Sequence, residues 1–138
     1  MITAYLNFNG NTEEVFNFYK TAFGGEISSL QRFGDTPHGD QMSDADKKKI
    51  MHIRMESPIG VTLMGSDFMD FMGRPFIAGN NFSLSLHPES ETQADELFTK
   101  LSEDGSVTMP LAKVFWGAYF GMFTDKYGIQ WLVNYEYK

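Results

Sequence analysis

The chain has no cysteine, which excludes disulfide bonds, thiolate metal sites, cysteine nucleophiles and iron–sulfur clusters. Basic residues are also scarce, because eleven Lys and Arg against eighteen Asp and Glu give a formal net charge of −7. A surface with this charge repels nucleic acids and anionic membranes. The sequence also lacks an apolar run of about 18 residues that could cross a membrane, and a basic signal-peptide start. We therefore expect a cytoplasmic protein with no nucleic-acid or membrane partner.

Apolar and aromatic residues are plentiful. Hydrophobic residues supply 42% of the 138 positions, and they include thirteen Phe, six Tyr and two Trp. A chain of this length buries roughly two-thirds of its unfolded surface when it folds compactly. The composition therefore excludes intrinsic disorder and predicts a single domain with a real hydrophobic core.

The order of predicted elements repeats once along the chain. Residues 2–8 form an apolar and aromatic run typical of a strand, and apolar residues at helical spacing follow over residues 12–23. A strand over residues 81–87 and a helix that starts after Ser90 repeat this order. Three further strands follow each helix, at residues 26–33, 50–56 and 61–66 in the first half and 106–113, 115–124 and 129–135 in the second.

Both predicted helices begin with residues that fit a capping box. Asn11 is followed by Glu14 three residues later, and Ser90 is followed in the same way by Gln93. The pair Gly24-Gly25 supplies a left-handed end for the first helix.

The spacing of glycines supports two copies of one module. Gly25 and Gly105 are 80 residues apart, whereas Gly60 and Gly128 are 68 apart. A polar loop over residues 34–49, which the second half lacks, accounts for the difference. We assign these parts of one domain as follows: module one 1–66, linker 67–79 and module two 80–138.

Four stretches of the sequence carry a family resemblance. The chain resembles the PhnB-like branch of the vicinal oxygen chelate superfamily over residues 2–27, 60–67, 79–86 and 115–134. This superfamily contains glyoxalases, bleomycin resistance proteins and dioxygenases. The resemblance implies an α+β fold of tandem βαβββ modules, whose mixed sheets curl around a concave cavity with the helices outside. It also implies a homodimer. Some members carry a 3-demethylubiquinone methyltransferase label, but this sequence has no glycine-rich strand-to-helix loop for S-adenosylmethionine.

The superfamily's enzymes hold a divalent metal through residues of the first, fourth, fifth and eighth strands. The resemblance aligns these positions with Ala4, Thr62 or Met64, Asn81 and Leu132. Alanine and leucine have no donor atom, and a thioether is a poor ligand for such cations. We therefore expect no inherited metal site and no cofactor.

The third predicted strand has one polar face. There His52, Arg54 and Glu56 alternate with apolar residues. If this face lines the cavity, His52 could act as a general acid or base and Arg54 could bind an anion. Otherwise the same residues form a solvent-facing strip of an antiparallel sheet.

Other candidate ligand-binding residues are uncharged or aromatic. Asn81 and Ser83 lie on the polar side of the fifth predicted strand, and Gln130 lies on the eighth. Uncharged polar groups of this kind line small-molecule pockets, and they equally suit a hydrated dimer seam. Trp116 and Tyr119 lie on an aromatic seventh strand, where they could stack on a ligand or pack in a core or dimer interface.

The stretch of residues 64–76 is rich in Met and Phe although most of it lies in the predicted linker. If this stretch is exposed, it forms an apolar patch that is prone to association. If it is buried, it forms a lid over the cavity or part of a partner's core. This stretch therefore favours a homodimer.

Three functions are compatible with these patterns. The first is metal-independent binding of a small apolar or aromatic molecule in a cavity of a homodimer, with no established reaction. The second is a lyase, isomerase or dioxygenase-like enzyme that uses His52 and a metal site other than the inherited one. The third is an interaction module with a vestigial cavity. The sequence favours the first and leaves catalysis undecided.

Overall fold

The computed structural model describes residues 1–138 and divides them into two compact units, Met1–Phe76 and Ile77–Lys138. The boundary between the units falls within the predicted linker of residues 67–79. Neither unit contains a helix with the length and hydropathy needed to cross a membrane.

The first unit is a four-stranded mixed sheet with one long helix. Its elements are β1 (Ala4–Phe8), α1 (Thr12–Phe23), β2 (Glu26–Arg32), α2 (Asp44–Lys48), β3 (Ile50–Ser57) and β4 (Val61–Asp67). The strand order is β1-β4-β3-β2, in which β1 is parallel to β4 and the other pairs are antiparallel. The predicted loop 34–49 is not wholly irregular, because it contains α2 and two single turns of 3₁₀ helix.

The second unit repeats this topology. Its elements are β5 (Leu84–Leu86), α3 (Glu91–Ser102), β6 (Ser106–Val114), β7 (Ala118–Thr124) and β8 (Gln130–Glu136). The strand order is β5-β8-β7-β6, again with one parallel pair, β5 and β8. The equivalent order and directions confirm the prediction of tandem βαβββ modules.

Two predicted strands are shorter than expected. β5 includes only three of the residues 81–87, so Asn81 and Ser83 precede the strand. The seventh strand starts at Ala118 rather than Phe115, because Gly117 has a φ of 87° and makes the turn between β6 and β7. Trp116 consequently lies in that turn.

The start of α1 differs from the predicted capping box. The side chain of Asn11 makes no capping hydrogen bond. Instead the carboxylate of Asp67, at the end of β4, accepts a hydrogen bond from the backbone N–H of Thr12 at 3.0 Å. At the start of α3 the predicted cap is confirmed, because Ser90 Oγ accepts from the N–H of Gln93 at 3.0 Å.

Each helix covers one face of the sheet in its own unit. The apolar stripe of α1 is fully buried at Val15, Phe16 and Tyr19, as its periodicity predicts. On the second unit's helix the buried residues are Ala94, Leu97 and Leu101. The two sheets therefore each keep a second face that their own helix does not cover.

Equivalent glycines follow the two helices for the same steric reason. A Cβ atom at Gly25 would lie 2.8 Å from the carbonyl oxygen of Glu56, and one at Gly105 would overlap the carbonyl oxygen of Thr124. Both positions are therefore restricted to glycine by close backbone approach. The left-handed turn precedes them, at Gly24 with a φ of 62° and at Asp104 with a φ of 59°.

Candidate functional site

The face that the helix does not cover, called the open face here, carries most of the candidate residues. In each sheet its side chains alternate with buried residues that face the helix. The open face of the first unit consists of Tyr5, Asn7, His52, Arg54, Met64 and Ser66. The open face of the second unit consists of Ser85, Phe120, Met122, Gln130, Leu132 and Asn134.

On the first unit's open face, an aromatic residue contacts the candidate histidine. The rings of Tyr5 and His52 stack with their centroids 5.8 Å apart and an angle of 29° between their planes. The Tyr5 hydroxyl also lies 3.3 Å from His52 Nδ1, within hydrogen-bonding distance. His52 is half-buried, whereas Ile53 and Met55 are fully buried. The predicted alternation along β3 is thus confirmed for these residues.

Arg54 lies on the same face. Its Nη2 forms an ion pair with Glu56 Oε1 at 2.8 Å, while its Nε is buried and has no hydrogen-bond partner. The remaining N–H groups of an arginine can donate hydrogen bonds to a further anionic or carbonyl oxygen. The Arg54 side chain is 39% exposed, and this arrangement is chemically competent for binding an acidic or polar group.

The second unit's open face has an aromatic end. The Trp116 ring packs edge-to-face on Phe120 with 5.4 Å between centroids, and 52% of Trp116 is exposed. Phe120 lies directly across the strands from Asn134. Gln130 on the same face donates a hydrogen bond to the carbonyl oxygen of Phe82. An accessible indole near the amide of Asn134 provides a stacking surface with an adjacent hydrogen-bonding group, whereas Gln130 lies at the other end of the face.

Tyr119 lies on the opposite face from this aromatic end. Its hydroxyl donates a hydrogen bond to Asp95 Oδ1 of α3 at 2.7 Å. This bond and partial burial raise the pKa of Tyr119 to about 12. The contact joins α3 to the sheet and separates Tyr119 from Trp116 and Gln130.

The raised pKa gives a testable alkaline effect. Because the folded protein holds the phenol proton more tightly than the unfolded chain, the contribution of Tyr119 is complete below about pH 10 and is lost as the pH rises through about 12. We expect Tyr119→Phe to be about 1 kcal/mol less stable than the parent at neutral pH, with this difference shrinking in strong base. Urea unfolding of both proteins across that range measures the difference, and a constant gap would contradict the assignment.

The residues at the aligned metal positions do not fit a divalent metal. Ala4 and Leu132 offer no donor atom, and Met64 offers only a thioether. Asn81 lies outside β5, in the segment that precedes it. No group of three or more His, Asp or Glu residues in the chain is arranged to hold a metal ion.

Recesses also lie at the ends of strands in both units. One, of about 350 Å³, lies at the start of α1 beside Asp67 and the residues 48–50. The other, of about 460 Å³, lies at the end of β8 beside His87 and Asn134. The sequence reasoning identified neither, because each is made by residues that flank strands rather than by a pattern within one strand.

The sequence candidates therefore fall into separate groups. His52 and Arg54 share the first unit's open face, and Trp116 and Gln130 belong to the second unit's. Tyr5 was missed, although it stacks on His52; the alternation of buried Leu6 and Phe8 along β1 was the signal that could have placed it.

Comparisons with known proteins are consistent across the whole chain. A family model described as 3-demethylubiquinone-9 3-methyltransferase matches residues 1–134. The structure of protein PA1353 from Pseudomonas aeruginosa is 42% identical, covers 99% of this chain and 97% of its own, and has a TM-score of 0.85. The PhnB protein from Bacillus cereus is 30% identical, with coverages of 97% and 98% and a TM-score of 0.77.

A more distant structure has the same fold. The glyoxylase/bleomycin resistance protein/dioxygenase domain from Frankia is 16% identical, covers 100% of this chain and 92% of its own, and has a TM-score of 0.69. At this identity the likeness concerns the fold alone.

Proposed function

The chain belongs to the 3-demethylubiquinone-9 3-methyltransferase-like, or PhnB-like, family and has the glyoxalase/bleomycin resistance/dioxygenase fold, and from this premise we propose that it binds a small apolar or aromatic molecule without a metal. The ligand would be held in a cavity of a homodimer, against an open sheet face. The observation that carries the proposal is the accessible indole of Trp116 packed on Phe120 of the second unit's open face.

The chemistry of this face supports an apolar or aromatic ligand. Phe120, Met122 and Leu132 supply apolar surface, and each is only half-buried. Gln130 and Asn134 add amide groups at the margins of this surface. Pockets that bind small molecules combine apolar walls with a few polar groups in the same way.

Methyl transfer is not part of the proposal. Each unit is a four-stranded mixed sheet with a single parallel pair. The strand-to-helix connection after β1 contains only one glycine, Gly10, rather than the glycine-rich loop that cradles a nucleotide-like cofactor. The family's name therefore does not decide the chemistry of this chain.

The homodimer is supported by exposed apolar residues in the first unit. Phe71 is 59% exposed, Met72 is 39% exposed and Phe76 is 36% exposed, and all three lie within nine residues of β4. Apolar side chains this exposed are unfavourable in water and are commonly covered by a partner. Sedimentation velocity at micromolar concentration is expected to show a dimer, and a monomer would contradict this part of the proposal.

The binding proposal predicts the effect of one substitution on a neutral aromatic dye. We expect Nile red to bind saturably and to quench Trp116 fluorescence, because the indole would contact the dye. Trp116→Ala is expected to weaken binding about tenfold or more, since stacking and apolar contact with a large ring are lost. Titration of Nile red fluorescence at constant protein concentration measures the dye affinity of the parent and of the Trp116→Ala variant.

The matched control is Ile59→Ala, which removes an exposed apolar side chain from the turn between β3 and β4 of the first unit. It is expected to change the dye affinity less than twofold. Unchanged dye affinity in Trp116→Ala, or an equal loss in Ile59→Ala, would contradict the proposed site.

A second candidate function is catalysis by His52, favoured by its contact with the Tyr5 hydroxyl and its position beside Arg54. A histidine within reach of a phenol can exchange protons with a bound molecule. If the first candidate function is correct, the bound ligand is recovered chemically unchanged. If the protein converts a ligand chemically, and this conversion stops in a His52→Ala variant whose fold is intact, the second candidate function is favoured.

A further inference from the structure

The turn between β1 and α1 contains the dipeptide Asn9-Gly10, the one place in the chain where a glycine follows an asparagine. Both residues are exposed and lie in a bend, after β1 ends at Phe8 and before α1 begins at Thr12. The side-chain amide of an asparagine can be attacked by the main-chain nitrogen of the next residue. Glycine favours this attack, because it has no Cβ atom to crowd the nitrogen and its backbone rotates freely.

No hydrogen bond restrains the two groups that would react. The N–H of Gly10 has no acceptor in the protein, and the side-chain amide of Asn9 has no partner either. The surroundings are open as well, since a Cβ atom at Gly10 would have Lys49 Cε at 3.9 Å as its nearest neighbour. The backbone can therefore turn the nitrogen of Gly10 toward Cγ of Asn9 without breaking a contact.

The chain's one Asp-Gly dipeptide, Asp104-Gly105, is held in a different way. An aspartate there could form the same ring by losing water, but the N–H of Gly105 donates to the carbonyl oxygen of Ser102 at 2.9 Å. The backbone is also closely packed, because a Cβ atom at Gly105 would overlap the carbonyl oxygen of Thr124. The fold therefore restrains this nitrogen and leaves that of Gly10 unrestrained.

Other asparagines in irregular segments each lack one of these conditions. Asn11 is followed by Thr12, whose N–H donates to Asp67 Oδ1 at 3.0 Å. Asn80 is exposed and lies outside any helix or strand, as Asn9 does, but the next residue is Asn81, whose side chain crowds the attacking nitrogen. Asn9 alone among them combines exposure, a following glycine and an unrestrained nitrogen.

We propose that Asn9 is a site of spontaneous deamidation in the folded protein. The main-chain nitrogen of Gly10 loses its proton and forms a bond to Cγ of Asn9, while the bond from Cγ to Nδ2 breaks and ammonia leaves. The product is a five-membered succinimide ring. Water then opens the ring at either carbonyl and yields aspartate or isoaspartate, so the net reaction consumes one water and releases one ammonia, with no oxidant or reductant.

The modification changes the charge at the start of α1. Either product adds one negative charge to a chain whose formal net charge is −7. The new carboxylate lies next to Gly10, which with Asn11 lines the recess of about 350 Å³. Isoaspartate also lengthens the main chain by one carbon between β1 and α1. The reaction therefore alters this turn without changing a core residue.

The test follows the purified protein during incubation at neutral pH. Trypsin digestion and mass spectrometry with electron-transfer fragmentation assign each modified residue, because deamidation replaces NH₂ by OH and isoaspartate gives its own backbone fragments. We expect Asn9 to be converted at least about tenfold faster than Asn11 or Asn80. The rate is expected to rise in mildly alkaline buffer, since the attacking nitrogen must lose its proton.

Variants and unfolding separate the role of the structure from that of the dipeptide. Asn9→Gln is expected to slow ammonia loss at this position at least about tenfold, because glutamine would have to form a six-membered ring. Asn80→Gln is the matched control and should leave the conversion of Asn9 within about twofold of the parent rate. In urea the hydrogen bond of Gly105 is lost, so Asp104 is expected to form isoaspartate at least about tenfold faster than in the folded protein.

Three results would overturn the inference. If Asn9 stays unmodified in the folded protein and is converted only in urea, the turn protects it. Equal rates at Asn9 and Asn80 in the folded protein would show that the following glycine and the open turn have no effect. Isoaspartate formation at Asp104 as fast as the conversion of Asn9, before unfolding, would show that a hydrogen bond on the attacking nitrogen does not decide the site.

Discussion

Replacing Asp67 by alanine is expected to destabilise the protein by about 3–5 kcal/mol, although no ligand contact is involved. The side chain is only 1% exposed, and its two oxygens accept hydrogen bonds from two separate elements. Oδ1 accepts from the N–H of Thr12 at 3.0 Å, and Oδ2 accepts from the N–H of Ile50 at 2.7 Å. One carboxylate thus joins the start of α1 and the start of β3 to the end of β4, and alanine would leave two backbone donors unpaired.

Urea unfolding followed by circular dichroism measures the loss. Asp67→Asn is expected to lie between the parent and the alanine variant, because one amide oxygen can replace only one of the two acceptors. Asp70→Ala, three residues later and exposed, is the matched control and should change stability by less than about 0.5 kcal/mol.

Hydrogen exchange adds a local readout. The amides of Thr12 and Ile50 should exchange faster in Asp67→Ala than neighbouring amides do, because their acceptor has been removed. A loss below about 1 kcal/mol, with both amides still protected, would contradict the assigned role.

The architecture could be predicted because the same order of elements occurs twice in the sequence. The glycine spacings identified two modules, and the physical reason emerged in the structure: Gly25 and Gly105 both allow the backbone to approach the end of the neighbouring strand. Periodicity likewise predicted the buried stripe of α1, because a regular helix buries one face of its surface.

The hydrogen bonds that connect one element to another could not be predicted from these local patterns. Asp67 was assigned to a linker, since nothing near it in sequence shows that its carboxylate reaches residues 55 and 17 positions away. The predicted cap at Asn11 failed for the same reason, because a distant side chain satisfies the helix N-terminus.

The candidate site was only partly predictable. An aromatic run such as Tyr119-Phe120 cannot present both rings to one ligand, since successive residues of a strand point to opposite faces. The structure places Tyr119 toward α3 and Phe120 on the open face. The recess beside His87 could not be predicted from the sequence, because residues from two separate strand ends form it.

Asp125 carries the second large expected effect. It is 3% exposed and follows β7 in the turn that leads to β8. Oδ1 accepts from the N–H groups of Tyr127 at 2.9 Å and Ile129 at 3.1 Å, and Oδ2 accepts from Trp131 Nε1 at 2.8 Å. The carboxylate therefore fixes the turn and satisfies the indole N–H of a core tryptophan that is itself 1% exposed.

Asp125→Ala is accordingly expected to cost about 3–5 kcal/mol, mainly because the buried indole donor and two turn amides lose their acceptor. A double-mutant cycle of Asp125→Ala with Trp131→Phe, followed by urea unfolding, should give a coupling of about 1 kcal/mol or more between the two side chains. Asp40→Ala, at an exposed aspartate, controls for the loss of one negative charge. Additive effects in the cycle would show that the indole bond contributes nothing, and the role of Asp125 would then be confined to the hydrogen bonds that its Oδ1 accepts from Tyr127 and Ile129.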